Sequence, residues 1–87
     1  MDELDGFKQI DLRRYLEHAG YEEDASESTP SVTVVRCRGD KIHVRRMPHG
    51  HWVWHSFHDG RGGTIIDFVQ SRQEIHHLGH VRQRLRS

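Results

Sequence analysis

The sequence predicts a small α+β domain: an N-terminal helix, a three-stranded antiparallel meander, and two short C-terminal helices. Three observations predict it. Apolar residues recur at helical spacing near the N-terminus, alternating β-branched segments follow in the middle, and a capped apolar segment comes after a glycine-rich turn. With 87 residues, 33% of them hydrophobic, the chain is expected to form a single domain over 1–87.

The first helix is expected to begin after Asp11, because a carboxylate at this position caps free backbone N–H groups. Apolar side chains recur at helical spacing over residues 12–19, and Gly20 is a typical helix end. The polar segments at 1–8 and 22–30 lack such a period, so we expect them to be flexible.

The central meander is predicted by the segments "SVTVVRC", "KIHVRR" and "HWVWHSF", which are joined by the short turns "RGD" and "MPHG". In the third segment Trp52, Trp54 and Ser56 share one face, and the odd-numbered residues 51–57 share the other. Both faces carry apolar side chains, so the pattern does not decide which one is buried.

The two C-terminal helices differ in their signals. Thr64 and Asp67 form the pattern of a capping box, and the apolar segment that follows predicts a short buried helix. A last helix is expected to run to about residue 86 and to point its apolar side chains inward, namely Leu78, Val81 and Leu85.

Composition excludes several classes of protein. No apolar run approaches the length of a membrane span, and the acidic N-terminus lacks the apolar region of a signal peptide. The single cysteine, Cys37, cannot form an internal disulfide. We therefore expect a cytoplasmic protein that does not contact membranes.

Charge divides the chain into two parts. Residues 1–28 carry nine acidic and three basic residues, a net charge of −6, and residues 29–87 carry +6 with eight of the nine histidines. A basic domain body suggests an anionic partner such as nucleic acid. Ordinary surface charge, with the acidic arm folded onto the basic face, explains the division equally well.

The strongest candidate site is a basic and aromatic sheet surface. Cationic side chains neutralise phosphates, and aromatic faces stack on unpaired bases. The alternative, in which the tryptophans form the core and the arginines are merely solvated, stays open. The candidate nucleic-acid-binding residues are Arg36, Arg38, Lys41, Arg45, Arg46, Trp52, Trp54 and Arg61, the last beside the start of a capped helix.

Metal binding and catalysis have weaker support. His55 and His58 have a spacing found in metal sites, yet one cysteine cannot build a thiolate site and the other histidines are scattered. We expect no metal and no cofactor. No nucleophile, base and orienting group stand at a recognisable spacing, so the chain is not expected to be an enzyme.

The order of "TPSVTVV", "GDKI", "GTIIDFVQ" and "LGHVRQRLR" resembles the N-terminal zinc-ribbon domain of bacterial DNA primases. It more closely resembles the primase-type domain that precedes Toprim domains in plasmid and integrative-element proteins, over about residues 7–86. The resemblance implies template-strand binding by the ribbon. Primer synthesis is not implied, because it resides in the catalytic part that the resemblance does not cover.

The resemblance also implies where zinc ligands would stand. The Cys-x-x-Cys knuckle of the family falls on Ser56 and Asp59, and its earlier Cys-x-x-His pair falls near Glu22 and Ala25. None of these four is a good zinc ligand, so the resemblance implies a ribbon that has lost its metal.

Two functions follow as expectations. The first is a non-catalytic module of a mobile genetic element that binds DNA, single-stranded or distorted rather than regular duplex. The second is a protein-interaction module that inhibits a host DNA-targeting defence complex, as anti-CRISPR proteins do. The sequence leaves open the oligomeric state and the identity of any protein partner.

Overall fold

A computed structural model of the chain shows an α+β fold with a five-stranded antiparallel sheet. It describes residues 3–75 and 77–86, with side chains from residue 6 onward. The elements in chain order are α1 (Glu3–Lys8), α2 (Leu12–His18), β1 (Glu22–Glu23), β2 (Thr33–Cys37), β3 (Asp40–Arg46), β4 (Trp52–Ser56), β5 (Gly62–Gly63), α3 (Ile65–Arg72) and α4 (Leu78–Arg86).

The sheet follows the chain, with strands in the order β1-β2-β3-β4-β5 and every neighbouring pair antiparallel. The predicted meander is its centre, and the expectation of three strands is corrected to five. Glu22 of β1 pairs with Arg36, and Gly62 of β5 pairs with His55. Two-residue strands have no period of their own, so alternation in the sequence cannot reveal them.

The helix signals are confirmed with one correction. The Asp11 carboxylate accepts the backbone N–H of Arg13 at 3.0 Å at the start of α2, and α3 begins with the Thr64–Asp67 capping box. In α4, Val81 is fully buried, but Leu78 is 42% exposed instead of pointing inward. The core contacts of α4 are made further along the helix, by Val81 and by the partly buried Leu85.

The segments whose composition predicts flexibility carry local structure. Residues 3–8 form α1, and Phe7 on that helix is buried. After β1, the Asp24 N–H donates to the Val34 carbonyl at 2.7 Å, and the Ser28 hydroxyl accepts the Val34 N–H at 3.0 Å. The loop thereby continues the sheet beyond β1. Residues 1 and 2 lie outside the described part of the chain.

The core lies on one face of the sheet, where the four helices pack. Trp54 is 3% exposed there and meets Phe68 of α3 edge to face, with ring centroids 5.8 Å apart. The tryptophan face of β4 is therefore the buried one, because the apolar side of α3 needs a large complementary surface. No helix among the described residues is long and apolar enough to span a bilayer.

Candidate functional site

The face of the sheet opposite the core, called the outer face here, is set by strand alternation. Side chains on β2, β3 and β4 point alternately to the two faces, so every second residue stands away from the helices. The pairing of Val34 with His43 and of His43 with His55 puts these three side chains in one row. The outer-face residues are Val34, Arg36, Lys41, His43, Arg45, Val53, His55 and, just after β4, Phe57.

Three rings on the outer face form a continuous surface that we call the ring cluster: His43, His55 and Phe57. The His43 ring centroid is 5.2 Å from that of His55 and 5.1 Å from that of Phe57. Phe57 is 57% exposed, the largest exposed fraction among the exposed large hydrophobic residues of the described chain. An aromatic ring held this open on a sheet is a stacking surface for a planar ligand.

A shallow groove of about 520 Å³ adjoins the ring cluster. Val53 and the two imidazoles line one part of it, and Gly62 and Gly63 at the sheet edge line another. Because β5 consists of glycines alone, no side chain closes the groove on that side. A flat group could lie across it and still leave one edge in solvent.

Cations border the ring cluster. The Lys41 ammonium lies 4.8 Å from the Phe57 ring centroid, within cation–π distance. Arg45 lines the groove and is exposed, and among the described residues no ion pair engages it. The outer face thus combines rings with positive charge, as proteins that bind single strands without sequence preference do.

The electrostatics of the outer face act on His43. Partial burial, then the charges of His55 and Arg45, lower the pKa of His43 below its usual 6.5. The neutral imidazole is therefore the favoured form at neutral pH. A neutral ring stacks on its neighbours without adding repulsion to the cations beside it.

Both tryptophans lie on the core side of the sheet. Trp54 belongs to the core, and its indole N–H donates to the Thr64 carbonyl at 2.8 Å. Trp52 is partly buried on the same face, with the Arg13 guanidinium 4.8 Å from its ring centroid. Neither ring lies on the outer face, so neither joins the stacking surface.

The predicted cations do not form one patch. Arg36 donates to the Glu27 carboxylate at 2.8 Å and pairs with Asp24 at 2.9 Å, and Lys41 pairs with Glu27 at 2.5 Å. Most of the charge of these two cations is thus compensated by the β1–β2 loop. Of the outer-face cations in the predicted set, only Arg45 is without an ion pair in the described residues.

The remaining predicted cations point elsewhere. Arg38 lies in the β2–β3 turn, where it has a positive φ of 50°. Arg46 is exposed at the end of β3, on the side of Trp52. Arg61 faces a separate groove beside α3, which it shares with Asp67.

The glycine-rich turn is shaped by close packing. A Cβ at Gly62 would stand 2.6 Å from the Trp54 carbonyl oxygen, and one at Gly63 would overlap the Asp67 carboxylate. That carboxylate accepts the Thr64 N–H at 2.8 Å, so a negative charge already occupies the start of α3. Asp67 would therefore repel a phosphate held by Arg61 at this helix start.

The positions that the primase resemblance assigns to zinc do not fit the metal. Ser56 is buried, and its hydroxyl accepts the backbone N–H groups of His58 and Asp59 at 3.0 and 3.4 Å. The Asp59 carboxylate accepts from the Arg72 guanidinium at 2.9 Å, and Arg72 also donates to Asp40 at 3.0 Å. A neutral hydroxyl and an ion-paired carboxylate are poor partners for zinc, and the Arg72 guanidinium already joins Asp59 to Asp40.

The second pair of ligand positions is no better. Glu22 is exposed on β1, and Ala25 has no ligating atom. The weaker candidate pair, His55 and His58, is split, because His55 stacks with His43 while His58 is exposed in the following turn. Among residues 3–75 and 77–86, no group of three or more histidine, cysteine or acidic side chains could hold a metal ion.

Three members of the candidate site are not among the residues predicted from the sequence: His43, Val53 and Phe57. The alternation of β4 does place Val53 and Phe57 together, opposite the tryptophans. The missing information was which face the helices cover, and that depends on the packing of α3.

Comparisons with known proteins identify no relative of this chain. No protein-family model matches the chain, and neither the curated proteins nor the solved structures contain a significant match.

Proposed function

We propose that the outer face binds single-stranded nucleic acid, with unpaired bases stacked on the ring cluster and phosphates held by the cations around it. The observation that carries the proposal is Phe57, 57% exposed beside two imidazoles on a sheet face that no described helix covers. Burying a phenyl ring of this exposure under a base is favourable, and every base offers a planar face.

Single strands are favoured over duplex because of the shape of this surface. In a duplex the base faces are hidden by stacking, and only base edges are presented in the grooves. A ring cluster on an open sheet contacts base faces, which are available only where bases are unpaired. The helices whose side chains form the core pack on the opposite face, so the outer face presents none of them to a major groove.

Charge supports an anionic ligand. Residues 29–87 carry a net +6, and Arg45 stands at the groove with its charge uncompensated by any described acidic group. Lys41 adds a cation above the Phe57 ring, although Glu27 shares it. The strand is therefore expected to follow the Arg45 side of the ring cluster, away from the acidic β1–β2 loop.

The proposal includes a primase-type ribbon origin without metal, in a non-catalytic protein of the cytoplasm. It is supported by the resemblance around "GTIIDFVQ" and by the turn after β4, in which Ser56 accepts two backbone N–H groups where the family has a cysteine. The alternative of docking onto a host defence complex stays a prediction, since no feature of the outer face favours a protein over nucleic acid.

The test is fluorescence anisotropy with labelled oligothymidylate of about twelve nucleotides, a length within the usual site sizes of single-strand binders. We expect binding that weakens as salt rises, and weaker binding to a duplex of equal length. Absence of binding to either oligonucleotide at low ionic strength would overturn the proposal.

A matched pair of variants locates the interaction. Replacing Arg45 by glutamine removes one phosphate contact, so the slope of log affinity against log salt should fall in magnitude by about 0.7. The control is Arg14→Gln on α2, which is exposed on the helix side of the sheet and should leave the slope unchanged. Equal effects of the two variants would mean that the outer face is not the binding surface.

A further inference from the structure

The outer face holds a pair of histidines at directly opposed positions of β3 and β4. His43 and His55 are register partners, and their ring centroids are 5.2 Å apart. Cross-strand neighbours of this kind interact strongly, and two like charges placed directly opposite each other destabilise the sheet. In the free protein the pair therefore resists carrying two protons.

Other charged groups face this pair from three directions. Lys41 and Arg45 flank His43 on its own strand. Arg36 lies on β2 at the far side, and its register partner on β1 is Glu22. The loop before β2 contributes two carboxylates, Asp24 and Glu27, and both are committed to basic partners. On the β4 side the neighbours are Val53 and Phe57, which carry no charge.

The two carboxylates do not compete for protons near neutral pH. Hydrogen bonds from Lys41 and Arg36 lower the pKa of Glu27 below 4.5, and a hydrogen bond from Ser26 followed by the charge of Arg36 lowers that of Asp24. Both stay ionised while the pH falls from 8 to about 5.5. Neither carboxylate therefore takes up a proton in this range, in which histidine is the side chain that ordinarily changes charge.

An anion bound on the outer face would favour the protonated form of the histidine pair, which the free protein disfavours. In the free protein, burial and the charges of His55 and Arg45 lower the pKa of His43 and disfavour the imidazolium. A phosphate oxygen beside the rings would accept an imidazolium N–H and would screen the pair from Arg45. The protonated form then gains a partner that the free protein does not offer.

We propose that binding of a phosphodiester at the outer face takes up about one proton from solution onto the His43–His55 pair, with the phosphate seated between this pair and Arg45. The inference rests on the proposed function and adds to it a phosphate position and a dependence on pH. By linkage, uptake of one proton makes the affinity rise by up to about tenfold for each unit that the pH falls. This gain in affinity is expected at pH values around the ordinary pKa of histidine.

The experiment measures the affinity for oligothymidylate, carrying a label whose emission is independent of pH, from about pH 8 to about pH 5.5 at constant ionic strength. The variants are H43Q, H55Q and the double replacement. The control is H18Q, which removes an exposed histidine at the end of α2 on the helix side. Circular dichroism at each pH verifies that every variant is folded.

For the wild type and H18Q we expect affinity to rise as the pH falls, with a slope close to one proton per complex. The double variant should bind more weakly at every pH, because it loses two of the three stacking rings, and should show a slope near zero. Equal slopes in the wild type and the double variant, or a slope of zero in both, would overturn the inference and leave the proposed function intact. No binding at any pH would overturn both.

Discussion

Replacement of Phe57 by alanine separates the proposed site from the core. The side chain is 57% exposed, so less than half of it contributes to folding. Full burial of a phenylalanine is worth about 1.5–3 kcal/mol, so the expected loss of stability is about 1 kcal/mol. The loss of binding free energy in this variant is expected to be larger than its loss of stability, because base–aromatic stacking contributes about 1–3 kcal/mol per base.

In dissociation constants, this loss corresponds to a weakening by about five-fold to about 150-fold. The assay is anisotropy with oligothymidylate at fixed salt and pH, with stability measured by urea unfolding. The matched control is Leu78→Ala, which removes another exposed large side chain, at the start of α4. Phe57→Tyr should bind nearly as the wild type, since it keeps the ring.

The contrasting variant is Trp54→Phe, in the core. It removes the indole N–H that donates to the Thr64 carbonyl and reduces the volume packed against Phe68. We expect it to lower stability while preserving binding in the folded protein. The reasoning is refuted if Phe57→Ala binds as the wild type while a folded Trp54→Phe does not, since the tryptophan face would then be the one in contact with the ligand.

Two further predictions concern the scaffold. Arg72→Met removes the guanidinium that joins Asp40 to Asp59 and should lower the urea midpoint at neutral pH. Hydrogen bonds from that guanidinium hold the pKa of Asp59 below its ordinary 3.8, so the stabilisation is complete above that pH and fades as the pH falls below it. The two urea midpoints should therefore converge in acid, and a difference that persists unchanged there would contradict the ion-pair explanation. Gly62→Ala should cost more than about 1 kcal/mol, because its Cβ would meet the Trp54 carbonyl oxygen at 2.6 Å. Gly6→Ala in α1, with open space around it, should instead raise stability by about 0.5–1 kcal/mol, and equal effects of the two replacements would show that the contact is not the cause.

The parts of the fold that depend on local interactions could be predicted from the sequence. The caps at Asp11 and Thr64 involve residues two or three positions apart, so their signals are complete within a short window. The three central strands carry enough β-branched residues to show their alternation. Both kinds of signal were confirmed by the structure.

The parts that depend on distant partners could not be predicted. β5 consists of two glycines, which as a sequence indicate only a turn, and pairing with β4 alone makes them a strand. Compensation of Arg36 by Glu27 depends on how the loop between β1 and β2 folds back. The sequence shows the charges of both residues but gives no distance between them.

Only part of the candidate site could be predicted from the sequence, for a similar reason. Arg45 was included because of its charge, whereas the tryptophans were included because aromatic rings suit stacking. Either face of β4 could have been buried, since Val53 and Phe57 are apolar as well. The packing of Trp54 against Phe68 determines which face of β4 is buried. This contact joins residues on separate elements, β4 and α3.

The two-sided sheet has a consequence for how such a domain can diverge. On β3 and β4, the residues that hold the core and the residues that face outward alternate along the same few positions. Ile42, Val44 and Trp54 are almost fully buried, while His43 and His55 between them belong to the outer face. Replacements at His43 or His55 therefore change the chemistry of the outer face without altering the side chains that form the core.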